Sequence, residues 1–182
     1  LGPEHVSCHQ MTIEGRTPMA RMLAEGRIEE TGEELQRELF LLASAVLSDH
    51  GYIHYEISNY ARGEGAMSRH NSKYWAHAPY LGLGPSAHSF AGKKRWWNLP
   101  SIEGYCRGVE KGEGPPRGSE RLTERQLDLE TLYLGLRTAR GLSLEFLSRF
   151  PAWERALERL ENDSCLRVEG GRAVPTTKGF LF

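Results

Sequence analysis

The stretch TGEELQRELFLLASAVLSDHGYIHYEI, residues 31–57, decides how the chain is read. Thr31 followed three residues later by Glu34 is a capping-box pattern, in which side chains satisfy the orphan N–H groups of a helix start. Leu35, Leu39, Leu42 and Val46 recur at helical spacing and predict one apolar stripe turned to a core. Gly51 supplies the left-handed stop. Beyond it, Ile53, Tyr55 and Ile57 alternate with His54 and Glu56, the period of a strand. Upstream, Val6 to Ile13 also reads as a strand. Strand, helix, short glycine loop and strand make a βαβ unit, so the first half is expected to be α/β with parallel strands.

Outward from that unit the grammar changes. Between Ser58 and Asn98 the periodicity breaks and Gly, Pro, His, Tyr and Trp crowd together, which points to functional loops. Within them Tyr80-Leu-Gly-Leu83 reads as a short buried strand. Gly112 to Ser119 is turn-rich and reads as a linker. Thr123 and Gln126 form a second capping box, followed by Leu127, Leu129, Leu132, Leu134 and Leu136 and a stop at Gly141. Helices over 144–150 and from Pro151 follow. Leu166–Glu169 and Arg172–Val174 then flank Gly170-Gly171 as a hairpin. Helices closed by a hairpin suggest a small winged-helix-like domain.

Composition narrows the function classes. The 182 residues carry 23 Lys+Arg, 24 Asp+Glu and a net charge of -1, which gives no electrostatic case for a general nucleic-acid or membrane-surface binder. Residues 99–182 hold 13 basic and 13 acidic residues, so the C-terminal domain lacks the basic face a DNA-binding winged helix needs. Cys8, Cys106 and Cys165 are too scattered for a disulfide framework, a zinc site or a cluster held by these cysteines alone. A reducing, cytoplasmic setting is the expectation. None of the last 94 residues is a histidine, and all seven histidines lie within the first 88.

Several groups there can carry chemistry. In Arg69-His-Asn-Ser-Lys-Tyr-Trp75, an imidazole beside flat aromatic surfaces suits a planar ligand or a metal-centred macrocycle. The bland alternative is a hydrogen-bonded His70 with Tyr74 and Trp75 packed as a hydrophobic corner. Gly82-Leu-Gly-Pro-Ser-Ala87 matches a dinucleotide loop in letters, but no amphipathic helix follows and no acid sits about 20 residues on. His54 and Glu56 on one strand face are either an acid–base pair or structural polar groups, whereas His5 and His9 read as structural. Lys93-Lys94-Arg95 before Trp96-Trp97 belongs to a local excess of five positive charges over 59–98, suited to carboxylates or phosphates unless it is simply solvated.

Taken together, HVSCHQMTIEGRTP (5–18), GYIHYEISNYAR (51–62), RHNSKYW (69–75), YLGLGPSAHS (80–89) and RWWN (95–98) resemble the oxygen-independent coproporphyrinogen III oxidase-like radical SAM family, particularly its haem chaperone branch. The segments at 122–144 and 168–179 resemble the family's terminal domain. The resemblance implies the C-terminal part of an incomplete (β/α) barrel over 1–111, a linker over 112–121, and a winged-helix-like α+β domain over 122–182. The family carries a 4Fe-4S cluster on a CxxxCxxC loop and binds S-adenosylmethionine. That loop is not in this sequence, so the chain is expected to be a C-terminal portion without radical chemistry of its own. The HNxxYW string resembles the haem chaperone branch and implies a haem site of His70, Asn71, Tyr74 and Trp75. Positions matching S-adenosylmethionine contacts are Thr12, Gly82, Gly84 and His88. Haem binding and delivery is the expected function; coproporphyrinogen III oxidation is the alternative. Implied partners are haem or porphyrin and a haem-accepting protein, with peripheral membrane association through such a partner and no nucleic acid.

Overall fold

Capped helix starts and tight turns set the element order in the computed structural model, which describes residues 2–115 and 117–182. The first half holds β1 (His5–Ser7), α1 (Pro18–Ala24), α2 (Glu33–Asp49), β2 (Ile53–Glu56), β3 (Asn59–Ala61), α3 (Arg69–Trp75), β4 (His88–Ala91) and β5 (Lys94–Asn98). Then come α4 (Ile102–Glu110), β6 (Arg117–Arg121), α5 (Glu124–Gly135), β7 (Leu142–Ser143), α6 (Leu144–Leu147), α7 (Trp153–Asn162), β8 (Leu166–Glu169) and β9 (Arg172–Pro175). They form two compact units, one running to Met67 and resuming over Leu136–Phe182, the other spanning Ser68–Gly135. These units cut across the expected division at 112–121. Helix α5 falls in the Ser68–Gly135 unit, and the segment expected as a linker carries β6. Pro116, within that segment, lies outside the described residues.

Mixed α/β structure is present, but the parallel barrel arrangement is not what the described residues form. Every ladder is antiparallel, in three sheets of order β1-β3-β2, β4-β5-β6 and β7-β9-β8. Strands β1 and β2 do run in the same direction, because each lies antiparallel to β3 between them. The physical reason is the turn at Ile57-Ser58. It reverses the chain at once, so the returning strand takes the hydrogen-bonding edge that a parallel neighbour would have used. Strand β1 ends at Ser7, so His5 and His9 share no strand face; His5 Nε2 instead lies 2.9 Å from the Tyr55 hydroxyl.

Local signals were obeyed unevenly. Thr17 caps α1 by accepting from the Ala20 N–H at 3.2 Å, with Pro18 at the first helical position, a start the periodicity reading passed over. Helix α2 begins one residue later than the Thr31 box requires. Gly32 is its N-cap, Glu34 is therefore not at the third position, and the Thr31 carbonyl accepts from Gln36 Nε2. Leu35, Leu39, Leu42 and Val46 are exposed, while Phe40, Ser44 and Leu47 face inward. The helix is apolar on more than one face, so spacing alone could not choose which face is buried. The Thr123–Gln126 box is formed reciprocally, at 2.9 and 3.3 Å, although α5 stops at Gly135 and not at Gly141. The Gly170-Gly171 hairpin also forms, with both glycines at positive φ as a two-residue turn of this kind demands.

His54 and Glu56 are not an acid–base pair. A bulge between them breaks the alternation, and each is engaged separately. Glu56, 1% exposed, accepts from the Ser58 N–H, whereas His54 Nδ1 lies 3.0 Å from the Ser44 hydroxyl and its ring stacks 4.2 Å from Tyr60. Phe40 and Phe180 close over the same ring. Burial lowers the His54 pKa below its ordinary 6.5, against opposing hydrogen bonds to the Ile57 and Glu56 backbone. The folded state thus binds this proton less readily than the unfolded chain. Stability from this group is present above pH 6.5 and is lost as pH falls below it toward the lowered folded value. We expect the thermal midpoint to fall on acidification from pH 7 to about pH 5, and the slope to flatten in His54→Gln, as calorimetry across that range would show. An unchanged slope in the variant would sink the assignment.

Candidate functional site

The Ser68–Gly135 unit holds the concentration of aromatic and titratable groups. Ser68 caps α3 by accepting from the Asn71 N–H at 3.2 Å, so RHNSKYW is a short helix and not a loop. The helix presents His70 to solvent, and the His70 ring meets Tyr74 edge-on at 5.0 Å. Tyr74 in turn meets Tyr80 edge-on at 4.6 Å. Tyr74 and Tyr80 border a cavity of about 600 Å³, within the usual range for small-molecule sites. Tyr74 and His77 come from α3 and its exit, His88 and Phe90 from β4, Arg95 and Trp97 from β5, and Leu129, Glu130, Tyr133 and Leu134 from α5.

One wall is an ionic network. Arg95 Nη2 donates to both carboxylate oxygens of Glu130 at 2.7 Å, and Nη1 donates to Glu120 at 3.1 Å. Register makes this possible, since β5 pairs with β6 and sets Arg95 opposite Glu120. Burial works to lower the Arg95 pKa, but the Glu130 hydrogen bonds and the Glu130 and Glu120 charges outweigh it and hold the guanidinium more firmly charged. His77 stands at positive φ in the left-handed turn that ends α3. Its ring stacks on Phe90 at 4.4 Å, Nδ1 lies 3.3 Å from the Thr131 hydroxyl, and Nε2 lies 3.0 Å from Glu130. Burial pushes the Tyr80 phenol up, with Arg95 opposing, so that wall stays protonated at neutral pH.

The basic triplet therefore is not an open anion cradle. Arg95 is taken by two carboxylates, Lys93 pairs with Glu124, and Lys94 lies over the Trp96 ring at 6.0 Å. Arg69 and Lys73 on α3 are exposed and, among the described residues, pair with no carboxylate. Of the four expected haem residues, Tyr74 reaches the cavity wall, His70 adjoins it through Tyr74, and Asn71 and Trp75 are half-buried on the same helix.

The expected S-adenosylmethionine contacts are divided between the two units. Thr12 is exposed in irregular backbone of the first, while Gly82, Gly84 and His88 belong to the second. Gly82 is needed for an internal reason: a Cβ there would run into the His88 carbonyl, and its N–H donates to the Ser89 hydroxyl at 2.9 Å. Tyr80–Leu83 is not a buried strand. Leu81 and Leu83 are 69% and 79% exposed, and a single bridge joins Tyr80 to Phe90. Sequence reading missed His77, Glu120 and Glu130 as site residues. Their link to Arg95 spans up to 35 positions and follows from sheet register, which no local pattern encodes.

The cysteines do not fit an iron–sulfur cluster. Cys8 and Cys106 are exposed, Cys165 is buried, and among the described residues no group of three or more His, Cys, Asp or Glu could hold a metal ion. No helix is long and apolar enough to cross a membrane among the described residues.

No family model matches the chain. It is 33% identical over 181 residues to a heme chaperone HemW of Mycobacterium tuberculosis, covering 99% of this chain and 45% of that protein. It is 34% identical over 157 residues to the heme chaperone HemW of Synechocystis, covering 85% and 38%. The bovine mitochondrial radical S-adenosyl methionine domain-containing protein 1 is 32% identical over 155 residues, covering 81% and 35%. The chain thus spans less than half the length of these relatives. In fold it is similar to the coproporphyrinogen III oxidase HemN of Escherichia coli, a radical SAM enzyme, with a TM-score of 0.64 at 16% identity over 99% of this chain and 46% of that one. Along nearly its whole length the chain is thus similar to part of proteins named heme chaperones and to part of a radical S-adenosyl methionine domain-containing protein, and its fold is similar to part of a radical SAM enzyme.

Proposed function

We propose that the chain is the haem-binding part of a haem-delivering radical SAM family protein, with its haem contact on α3. The observation that carries this reading is His70, an exposed imidazole on a capped helix beside the aromatic cavity. The pattern that places it occurs in a chain 33–34% identical to proteins named heme chaperones. His70 supplies a nitrogen to the iron, Tyr74 and Trp75 offer ring surface, and Asn71 orients the contact. Arg69 and Lys73 on the same helix provide the charge that propionates need, a role the neutralised Arg95 and Lys93 do not fill.

In the whole protein, the family's 4Fe-4S cluster and S-adenosylmethionine are proposed cofactors, and neither is held by the cysteines present here. The family division at 112–121, with a winged-helix-like domain over 122–182, is kept as a proposal. The α6–α7 pair, set between β7 and the β8–β9 hairpin of one β7-β9-β8 sheet, supports it. A cytoplasmic location and a haem-accepting partner protein belong to the same reading. Oxidation of coproporphyrinogen is the second reading, favoured by the fold neighbour alone.

Titrating the chain with ferric haem should give a shifted Soret band. His70→Ala should weaken binding about tenfold or more, the scale expected for a lost iron contact. Equal spectra and affinity in the variant would remove His70 from the site.

A further inference from the structure

Two histidines line the aromatic cavity, and they are engaged very differently. His77 is enclosed: its ring stacks on Phe90, Nδ1 lies 3.3 Å from the Thr131 hydroxyl, and Nε2 is buried 3.0 Å from Glu130 without a directed hydrogen bond. His88 opens β4, is exposed, and stacks at 5.7 Å on Trp97, its cross-strand neighbour. Among the described residues, no hydrogen bond or ion pair occupies either of its ring nitrogens. Resemblance places this position among S-adenosylmethionine contacts, yet the side chain stands in a pocket built for flat rings.

The chemistry of the lining narrows the ligand. The single guanidinium of the wall is matched by Glu120 and Glu130, so no spare cation selects a small anion. Most of the remaining lining is aromatic: Tyr74, Tyr80, Phe90, Trp97 and Tyr133. Stacked rings favour a planar partner, and an unengaged imidazole favours a partner carrying a metal ion with an open axial position. A metal-centred tetrapyrrole meets both requirements.

Resting on the haem reading, we propose that this cavity seats the tetrapyrrole ring and that His88 gives an imidazole nitrogen to its iron, additional to the His70 contact. Trp97 fixes the plane of the His88 imidazole by stacking, and the Arg95–Glu130 network holds β5 and α5 as rigid walls.

The test compares ferric haem with metal-free protoporphyrin IX on the purified chain. His88→Ala should weaken haem binding about tenfold and shift the Soret band, while protoporphyrin affinity stays within about twofold, because ring seating survives and iron ligation does not. Free imidazole should restore the wild-type spectrum in that variant. Leu134→Trp, which narrows the cavity, should weaken both ligands. If His88→Ala matches the wild-type spectrum and affinity while His70→Ala loses them, His88 is not a ligand and the haem reading stands without it. If the wild-type chain binds no haem, both proposals fall together.

Discussion

Replacing Gly141 by alanine is expected to be the most damaging single change in the first unit. Gly141 stands at φ +60°, the left-handed region that alanine occupies only with strain. A Cβ there would also strike the Ala173 carbonyl oxygen and crowd the Val174 Cα, all backbone atoms of β9. These atoms cannot step aside, because β9 is the central strand of β7-β9-β8 and pairs on both edges. Arg172 adds a clamp, donating to the carbonyls of Arg140 and Gly141 at 2.8 Å. Strain and backbone collision together should cost about 3–5 kcal/mol, at the upper end for a point substitution. Each kcal/mol lowers the melting temperature of a chain this long by about 2–4 °C, so the loss should be plain in a denaturant or thermal scan. Gly170→Asn is the control. Gly170 shares a positive φ but a Cβ there meets nothing, and asparagine tolerates that conformation, so the cost should be below about 1 kcal/mol. Equal losses at both positions would mean that the close approach to β9 is not what Gly141 provides.

Tyr60→Ala should rank beside it. Tyr60 is 1% exposed at the centre of β1-β3-β2, with the His54 ring stacked on its face. Removing a large buried aromatic side chain costs about 3–5 kcal/mol, through lost transfer energy and the cavity left behind. Burial, aided by Cys8 and Glu56 and opposed by the Ser44 hydroxyl, pushes its phenol up to about 12. Tyr60→Phe keeps the ring and removes only the hydroxyl, and should cost about 1 kcal/mol. The pair separates ring packing from hydrogen bonding. A Phe variant as unstable as the Ala variant would shift the explanation to the hydroxyl. Tyr60→Ala should also open His54 to water, returning its pKa toward 6.5 and flattening the acid-side loss of stability.

How far the chain could be read depended on the range of the signal. Thr123 and Gln126 satisfy each other three residues apart, and Gly170-Gly171 set a two-residue turn, so both stand as read. Helix α2 was legible as a helix, while its buried face was not, since apolar residues occupy more than one side and only the neighbours decide. The turn at Ile57-Ser58 was short enough to pass for the end of a strand, and missing it left β1 and β2 as expected parallel neighbours, whereas β3 stands between them and pairs antiparallel with both. For the site, RHNSKYW pointed to the unit that holds the cavity, with Tyr74 on its wall. The polar half of that wall escaped notice. Arg95 read as part of a basic run because nothing nearby in sequence announces Glu120 or Glu130.

By itself the sequence determined what is local or cumulative: helix caps, the glycine turn, the α/β mixture, and a likeness along nearly the whole chain to part of proteins named heme chaperones. Tertiary structure alone decided which carboxylates neutralise Arg95, which histidine is enclosed and which is exposed, and why Gly82 must lack a side chain. The reason is physical. A cap or a turn is fixed by bonds among residues a few positions apart. The charge and openness of a cavity are fixed instead by groups from separate strands and helices, and those meet only once sheet register and packing have been set.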